Sequence, residues 1–187
     1  DELRVSNKAR SANWVTAEYQ NQNAPGNFYL VDNGNDAGFD NTLWSNSHKI
    51  TILSSEVDST LTDFPVYVDL AHLPGDFFST VNGAGADIRL TESDGTTELA
   101  FELVSIDTTN GEGEVWFRAD TLSSSADNEF RIWYGNGDAA AYANGDTYGY
   151  NNVWSNGFVG VYHLNEDPSS GSISDSTSND NDGTITG

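Results

Sequence analysis

The chain has 187 residues, with no cysteine and no methionine, and its 29 acidic residues face only seven basic ones, for a formal charge of -22. That charge repels phosphate backbones and anionic membrane surfaces, so nucleic acid is excluded as a partner and divalent cations become the natural charge partners. Without cysteine there is neither a disulfide nor a thiolate metal site, and no apolar run approaches the roughly 20 residues of a membrane-spanning helix, so no membrane insertion is expected.

Leu3 and Val5 alternate with Glu2 and Arg4 as in a short strand. Ser11 is placed to cap a brief helix near residues 11–22 that carries Trp14, Val15, Ala17 and Glu18. Pro25-Gly26 ends it before a second short strand over 28–31. A strand at the very start, with Asp1 where a start methionine would stand, leads to the expectation of a mature or excised piece of something longer. Residues 32–41, DNGNDAGFDN, read as a polar linker, since the carboxylates at 32, 36 and 40 do not have EF-hand spacing.

From Trp44 the pattern becomes continuous, with strands predicted over 48–53, 64–70, 113–119 and 129–135. The clearest fold signal lies between them. Ile88 and Leu90, then Leu99, Phe101 and Leu103, alternate with their neighbours around an Asp94-Gly95 turn, which predicts a β-hairpin with one face buried. Asn-Gly and Asp-Gly pairs punctuate the rest, as tight turns between antiparallel strands require. The fold class expected is all-β: an antiparallel β-sandwich of jelly-roll character with one short helix.

Three stretches carry resemblances. DELRVSNKARSANWVTAEYQNQNAPGNFYLV, residues 1–31, resembles the last strand, helix and tail of the laminin-G or concanavalin-A-like jelly-roll modules of large bacterial and archaeal surface proteins. Trp44 with HKITI, DFPVYVDL, GADIRLTESDGTTELAFELVSID, GEVWFRADTLSSSADNEFRIWYGN and the Val153-Trp154 pair resemble the bacterial and archaeal domain of unknown function 2341, over about residues 44–157. FVGVYHLNEDPSSGSISDSTSNDNDGTITG, residues 158–187, resembles the opening strand of another lectin-like module. The resemblances imply a tail and linker over 1–43, a β-sandwich over 44–157 and the start of a following module over 158–187, as one period of a tandem array.

In such jelly rolls the first and last strands lie side by side. Leu3, Arg4, Val5 and Ser6 are therefore expected to pair with Val159, Gly160, Val161 and Tyr162, within the chain or between copies. Asp175, Asn179, Asp180 and Asp182 crowd one loop with oxygen ligands, and the resemblance makes this loop the candidate calcium site; no other cofactor is expected.

If Val115 and Phe117 face the core, Trp116 points away; Trp133 does so opposite Phe130 and Ile132, and Tyr67 opposite Val66 and Val68. Trp116, Trp133 and Tyr67 are the candidate ligand-binding residues, since sugars stack on aromatic faces, but a sheet apolar on both faces is also what a covered sheet looks like, and that reading is preferred. His48, His72 and His163 are far apart in sequence, with no nucleophile motif and no zinc spacing, and read as half-buried or surface side chains rather than catalytic ones.

No carboxylate pair can be singled out from 29 for glycoside hydrolysis, so no enzyme is expected. The function expected is a non-enzymatic repeat or assembly module of a secreted or cell-surface adhesin or filament, with neighbouring copies as partners. A glycan-binding module is the alternative, and a polysaccharide-degrading enzyme comes third.

Overall fold

The computed structural model describes residues 2–32 and 43–185, so Asp36 and Asp40 of the linker lie outside the described residues. In chain order come β1 (Leu3–Ser6), α1 (Ala12–Asn23), α2 (Pro25–Phe28), β2 (Tyr29–Val31), β3 (Asn46–Ile52), β4 (Leu61–Asp69) and α3 (Asp76–Thr80). They are followed by β5 (Arg89–Glu92), β6 (Glu98–Leu99), β7 (Phe101–Asp107), β8 (Glu112–Leu122), β9 (Asn128–Tyr134), β10 (Phe158–Tyr162), β11 (Ser172–Ile173) and β12 (Gly183–Thr184). None of the described helices is long and apolar enough to cross a membrane.

The strands form an antiparallel sandwich. One sheet has the order β2-β3-β9-β5-β6 and the other β4-β8-β7. Alternation sends Ile50, Ile52, Leu90, Phe130 and Ile132 of the first sheet towards Phe64, Val66, Val68, Val115 and Phe117 of the second, and all ten are buried in one apolar core. Phe117 and Phe130 meet across it with ring centroids 4.9 Å apart.

Ser11 caps α1 as expected, accepting a hydrogen bond from the Trp14 amide. The helix lies along β4, the edge strand of the smaller sheet. Trp14 packs on Phe64 with ring centroids 4.9 Å apart. Two turns further on, buried Asn21 reaches the edge itself: its Oδ1 accepts from the Tyr67 amide at 2.7 Å and its Nδ2 donates to the Tyr67 carbonyl at 2.8 Å. A single side chain thus supplies the two backbone bonds that a neighbouring strand would make.

The predicted hairpin is shorter than its pattern. It pairs only Leu90 with Leu99 and Thr91 with Glu98; its Gly95 has φ +68°, which the turn requires. At Ala100 the chain leaves for the other sheet, where Phe101 pairs with Phe117. The alternation runs on unbroken because Leu99 and Phe101 face the same core from opposite sheets. A strand that changes sheets at a sandwich corner keeps its hydrophobic phase, so periodicity cannot reveal the change.

A third layer covers the outer face of the smaller sheet. Here β1 pairs antiparallel with β10, Leu3 opposite Tyr162 and Val5 opposite Gly160. Beneath this ribbon, Trp116, Val153, Trp154, Phe158, Val161 and Ala100 form a second apolar cluster. The strands β1 and β10 therefore pair within one chain, and it is this ribbon that covers Trp116.

Asn21→Leu keeps the volume and removes both edge bonds, leaving the Tyr67 amide and carbonyl without partners. The expected loss of stability is about 2 kcal/mol in urea unfolding at unchanged m-value; a loss below about 0.5 kcal/mol would show that Asn21 does not hold the edge.

Candidate functional site

Five charged side chains from four parts of the fold meet between the ribbon and the smaller sheet. Glu102 of β7 is buried, which a carboxylate tolerates only with partners. Trp154 Nε1 donates to its Oε2 at 2.5 Å and Ser176 Oγ donates to its Oε1 at 2.6 Å. His163 Nε2 lies 3.1 Å from the same Oε2, and the other ring nitrogen lies 3.8 Å from Glu2 Oε2. Arg4 of β1 is paired with Glu2 and donates from Nη1 to Glu18 of α1 at 2.6 Å. The charges alternate along Glu18, Arg4, Glu2, His163 and Glu102. The Arg4 guanidinium also lies over two indoles, 4.2 Å from the centroid of Trp116 and 4.8 Å from that of Trp154.

This string sets the protonation of His163 and Glu2. Burial would push the His163 imidazole down, but hydrogen bonds to Glu102 and Glu2, and their charges, outweigh it and raise the pKa to about 9. For Glu2 burial acts upwards, and its bonds to His163 and Arg4 outweigh it, so the carboxyl is held below its ordinary value. Imidazolium between two carboxylates is the resting state at neutral pH.

Beside the string opens a cavity of about 330 Å³. Its floor is the outer sheet face, with Tyr67 of β4 and Glu114 and Trp116 of β8. One wall is the β-bulge of β7, where the register slips between Leu103 and Ser105 and both Val104 and Ser105 reach the cavity. The roof is Glu2, Gln22 and the turn His163, Leu164 and Asn165 that follows β10. Leu164 has φ +56°, a left-handed conformation strained for a branched side chain, and Asn165 Nδ2 donates to the Val104 carbonyl at 3.3 Å. The indole N–H of Trp116 is buried and has no acceptor among the described residues.

Of the candidate aromatics, the structure brings Tyr67 and Trp116 together, with ring centroids 5.1 Å apart, and leaves Trp133 elsewhere. Trp133 is buried on the outer face of the larger sheet and donates to Thr91 Oγ1 at 3.0 Å. The three do not form one exposed platform, because alternation fixes only that each points away from the core and not which sheet it belongs to.

The acidic loop serves the ribbon. Asp175 Oδ1 accepts from the amides of Val161 and Thr177, each at 2.9 Å, and Oδ2 accepts from the Asn181 amide at 3.0 Å. Burial acts upwards on this carboxyl, and the backbone donors outweigh it and hold its pKa low. Asp182 accepts from the Asp175 amide at 2.9 Å, Asn179 donates to the Phe158 carbonyl at 3.4 Å, and Asp180 takes a left-handed φ of +51°. Among the described residues no group of three or more His, Asp or Glu side chains is arranged to hold a metal ion.

The three histidines occupy separate places: His48 is 2.7 Å from the Tyr134 hydroxyl, His72 is 3.2 Å from that of Tyr29, and His163 belongs to the charged string. Glu102, Glu114 and Leu164 were not singled out in the sequence; a lone carboxylate at an alternating strand position looks the same whether it is solvated or buried. Glu92 of β5 is pushed up to about 7 by burial and then by Asp120 and Asp94, but it does not line the cavity.

A family model described as domain of unknown function (DUF2341) matches residues 84–177. The match starts inside the block expected to carry it and runs on through β10 into the acidic loop, so it takes in Glu102, Glu114, Trp116, Trp154, His163 and Asp175. No curated protein matches the chain, and neither does any solved structure.

The His163 pKa is about 9 in the folded chain against an ordinary 6.5, so its contribution to stability is complete below pH 6.5 and drains away as pH rises to about 9. That contribution is on the order of 3 kcal/mol at most. Chemical unfolding across this range is expected to show the decline in the native chain and a clearly flatter profile in His163→Gln; equal slopes would contradict the placing of the imidazolium.

Proposed function

The chain belongs to the family of domains of unknown function DUF2341, and from that premise we propose that it is a non-enzymatic assembly module of a large secreted or cell-surface adhesin or filament, joined to neighbouring copies along β1. One observation carries this reading. Among the described residues β1 pairs with β10 on one side and with no strand on the other. The outer edge of β10 is closed by the acidic loop, with Asn181 Nδ2 donating to the Val159 carbonyl at 2.7 Å and the Ser176 amide to the Val161 carbonyl at 2.8 Å. The ribbon therefore has one open edge. Its outward side chains, Leu3 and Val5, are 52% and 45% exposed, unusual for apolar residues on an unpaired strand.

Such an edge takes up a further strand by backbone pairing, while outward apolar side chains give the joint its hydrophobic contribution. The mixed roles of the terminal segments fit a module repeated along a filament: they finish the fold of one unit and offer an edge to the next. Tyr162, opposite Leu3 on the same face, extends the apolar strip across the ribbon. The resemblance of the flanking segments to lectin-like surface modules supports an extracellular setting.

Light scattering on a size-exclusion column over a concentration series, with calcium and again with chelator, tests this reading. The expected result is a mass that rises with concentration in the native chain and stays at that of one chain in Leu3→Lys/Val5→Lys, whose substitutions fall on exposed side chains. A native chain that remains single at every concentration overturns the reading, and equal masses in both buffers remove calcium from it.

A further inference from the structure

We infer that the pocket where the connection from β1 to α1 meets the start of β4 is a binding site for a small tetrahedral oxyanion, inorganic sulfate or phosphate. Lys8, Arg10, Ser11, Thr60, Thr62 and Asn156 supply its polar groups, and none of the residues lining it is acidic, in a chain with 29 acidic residues. Arg4, Lys49, Arg89 and Arg118 each have a carboxylate within ion-pair distance, whereas Lys8 and Arg10 have none among the described residues. Two of the seven basic residues thus meet, without a counter-charge, at one small pocket.

Both cations are held in place and keep donors to give. The Arg10 guanidinium lies over the Trp14 ring, 4.2 Å from its centroid, and over the Phe158 ring at 4.5 Å, and its Nη2 donates to the Asn156 carbonyl at 2.5 Å. Its Nε is buried, so Nη1 is the donor left for a ligand. Burial holds this guanidinium below its ordinary pKa, and the charge of Glu18, acting the other way, does not offset it. Lys8 Nζ spends one of its three donors on Asn156 Oδ1, at 2.8 Å. Ser11 Oγ accepts from the Trp14 amide and keeps its own O–H to donate, and Thr60 and Thr62 are exposed.

The donor set selects the class of ligand. A cation is repelled, and an apolar group would leave Lys8 and Arg10 desolvated without a partner. A carboxylate binds best to the two-pronged fork of a guanidinium, which Arg10 does not offer with Nη2 engaged and Nε buried. Single donors arriving from separate segments suit an ion whose oxygens accept in several directions. At about 190 Å³ the pocket has room for such an ion and is smaller than the roughly 300 Å³ at which sites for larger organic ligands begin. The net charge of -22 does not bar it, because at physiological salt carboxylates beyond about 8 Å are largely screened. A bound ion would tie the residues after β1 to the start of β4 and to the residues before β10. The site uses no residue of β1 itself, so it stands or falls separately from assembly.

The test is a nitrogen-15 NMR titration of the whole chain at pH 7 with sodium sulfate, sodium phosphate and sodium acetate in turn, with ionic strength held constant by sodium chloride. Sulfate or phosphate is expected to move the backbone amides of residues 8–13 and 60–62 saturably and to leave those of β3 and β9 in place, with acetate at least tenfold weaker. Lys8→Gln, a change at an exposed side chain, is expected to weaken the binding about tenfold, the cost of one charge-assisted hydrogen bond, at unchanged melting temperature in chloride. The inference is overturned if neither sulfate nor phosphate gives saturable shifts at these amides, if acetate binds as tightly as they do, or if Lys8→Gln binds as tightly as the native chain.

Discussion

Arg4 is the side chain on which the outer layer depends. It sits with its guanidinium over Trp116 and Trp154 and its donors on Glu2 and Glu18, so one residue of β1 touches the smaller sheet, the segment before β10 and helix α1. A guanidinium suits this place because it is weakly hydrated, flat enough to stack and forked enough to pair twice. An ion string under a ribbon of two short strands is not an efficient source of net stability, since desolvation cancels much of the attraction. What it supplies is register. Sliding β1 along β10 by one residue would turn Arg4 outwards and put Leu3 or Val5 over the indoles, leaving Glu2 and Glu18 with fewer partners.

The sandwich was legible from alternation because each strand is buried on a definite face: His48 to Ile52, Phe64 to Val68 and Phe130 to Tyr134 all lie in the strands their patterns predict. The helix was legible from its cap, Ser11. Three things were hidden. The change of sheet at Ala100 keeps the phase of the pattern. Trp116 and Trp133 share a pattern and differ only in which sheet holds them. Glu102 and His163 are 61 residues apart in sequence, and only the closure of β10 over β7 makes them a pair. The acidic loop was read for its oxygen density, and the structure commits much of that density to backbone amides, with Asp175 tying down β10.

The family match and the ribbon tell a joint story about this domain. The matched residues run from β5 to just past Ser176 and so include the segment that closes the second core, whereas β1 and α1 lie outside the match. Two of the five members of the charged string, Glu102 and His163, are in the matched part, and the other three, Glu2, Arg4 and Glu18, come from the preceding residues. The cavity is built the same way, with Glu114 and Trp116 from one part and Glu2 and Gln22 from the other. The open edge of β1 and the cavity alike exist only when the N-terminal segment is seated against β10.

That dependence is measured most directly by amide hydrogen exchange on the native chain and on Arg4→Gln. The expected result is that Arg4→Gln releases the amides of β10, including Val161, and of residues 175–181, while those of β3 and β9 keep their native protection, because the ribbon is a layer added to a sandwich that stands without it. Unchanged protection of β10, or equal loss across β3 and β9, would contradict the view that Arg4 seats the outer layer.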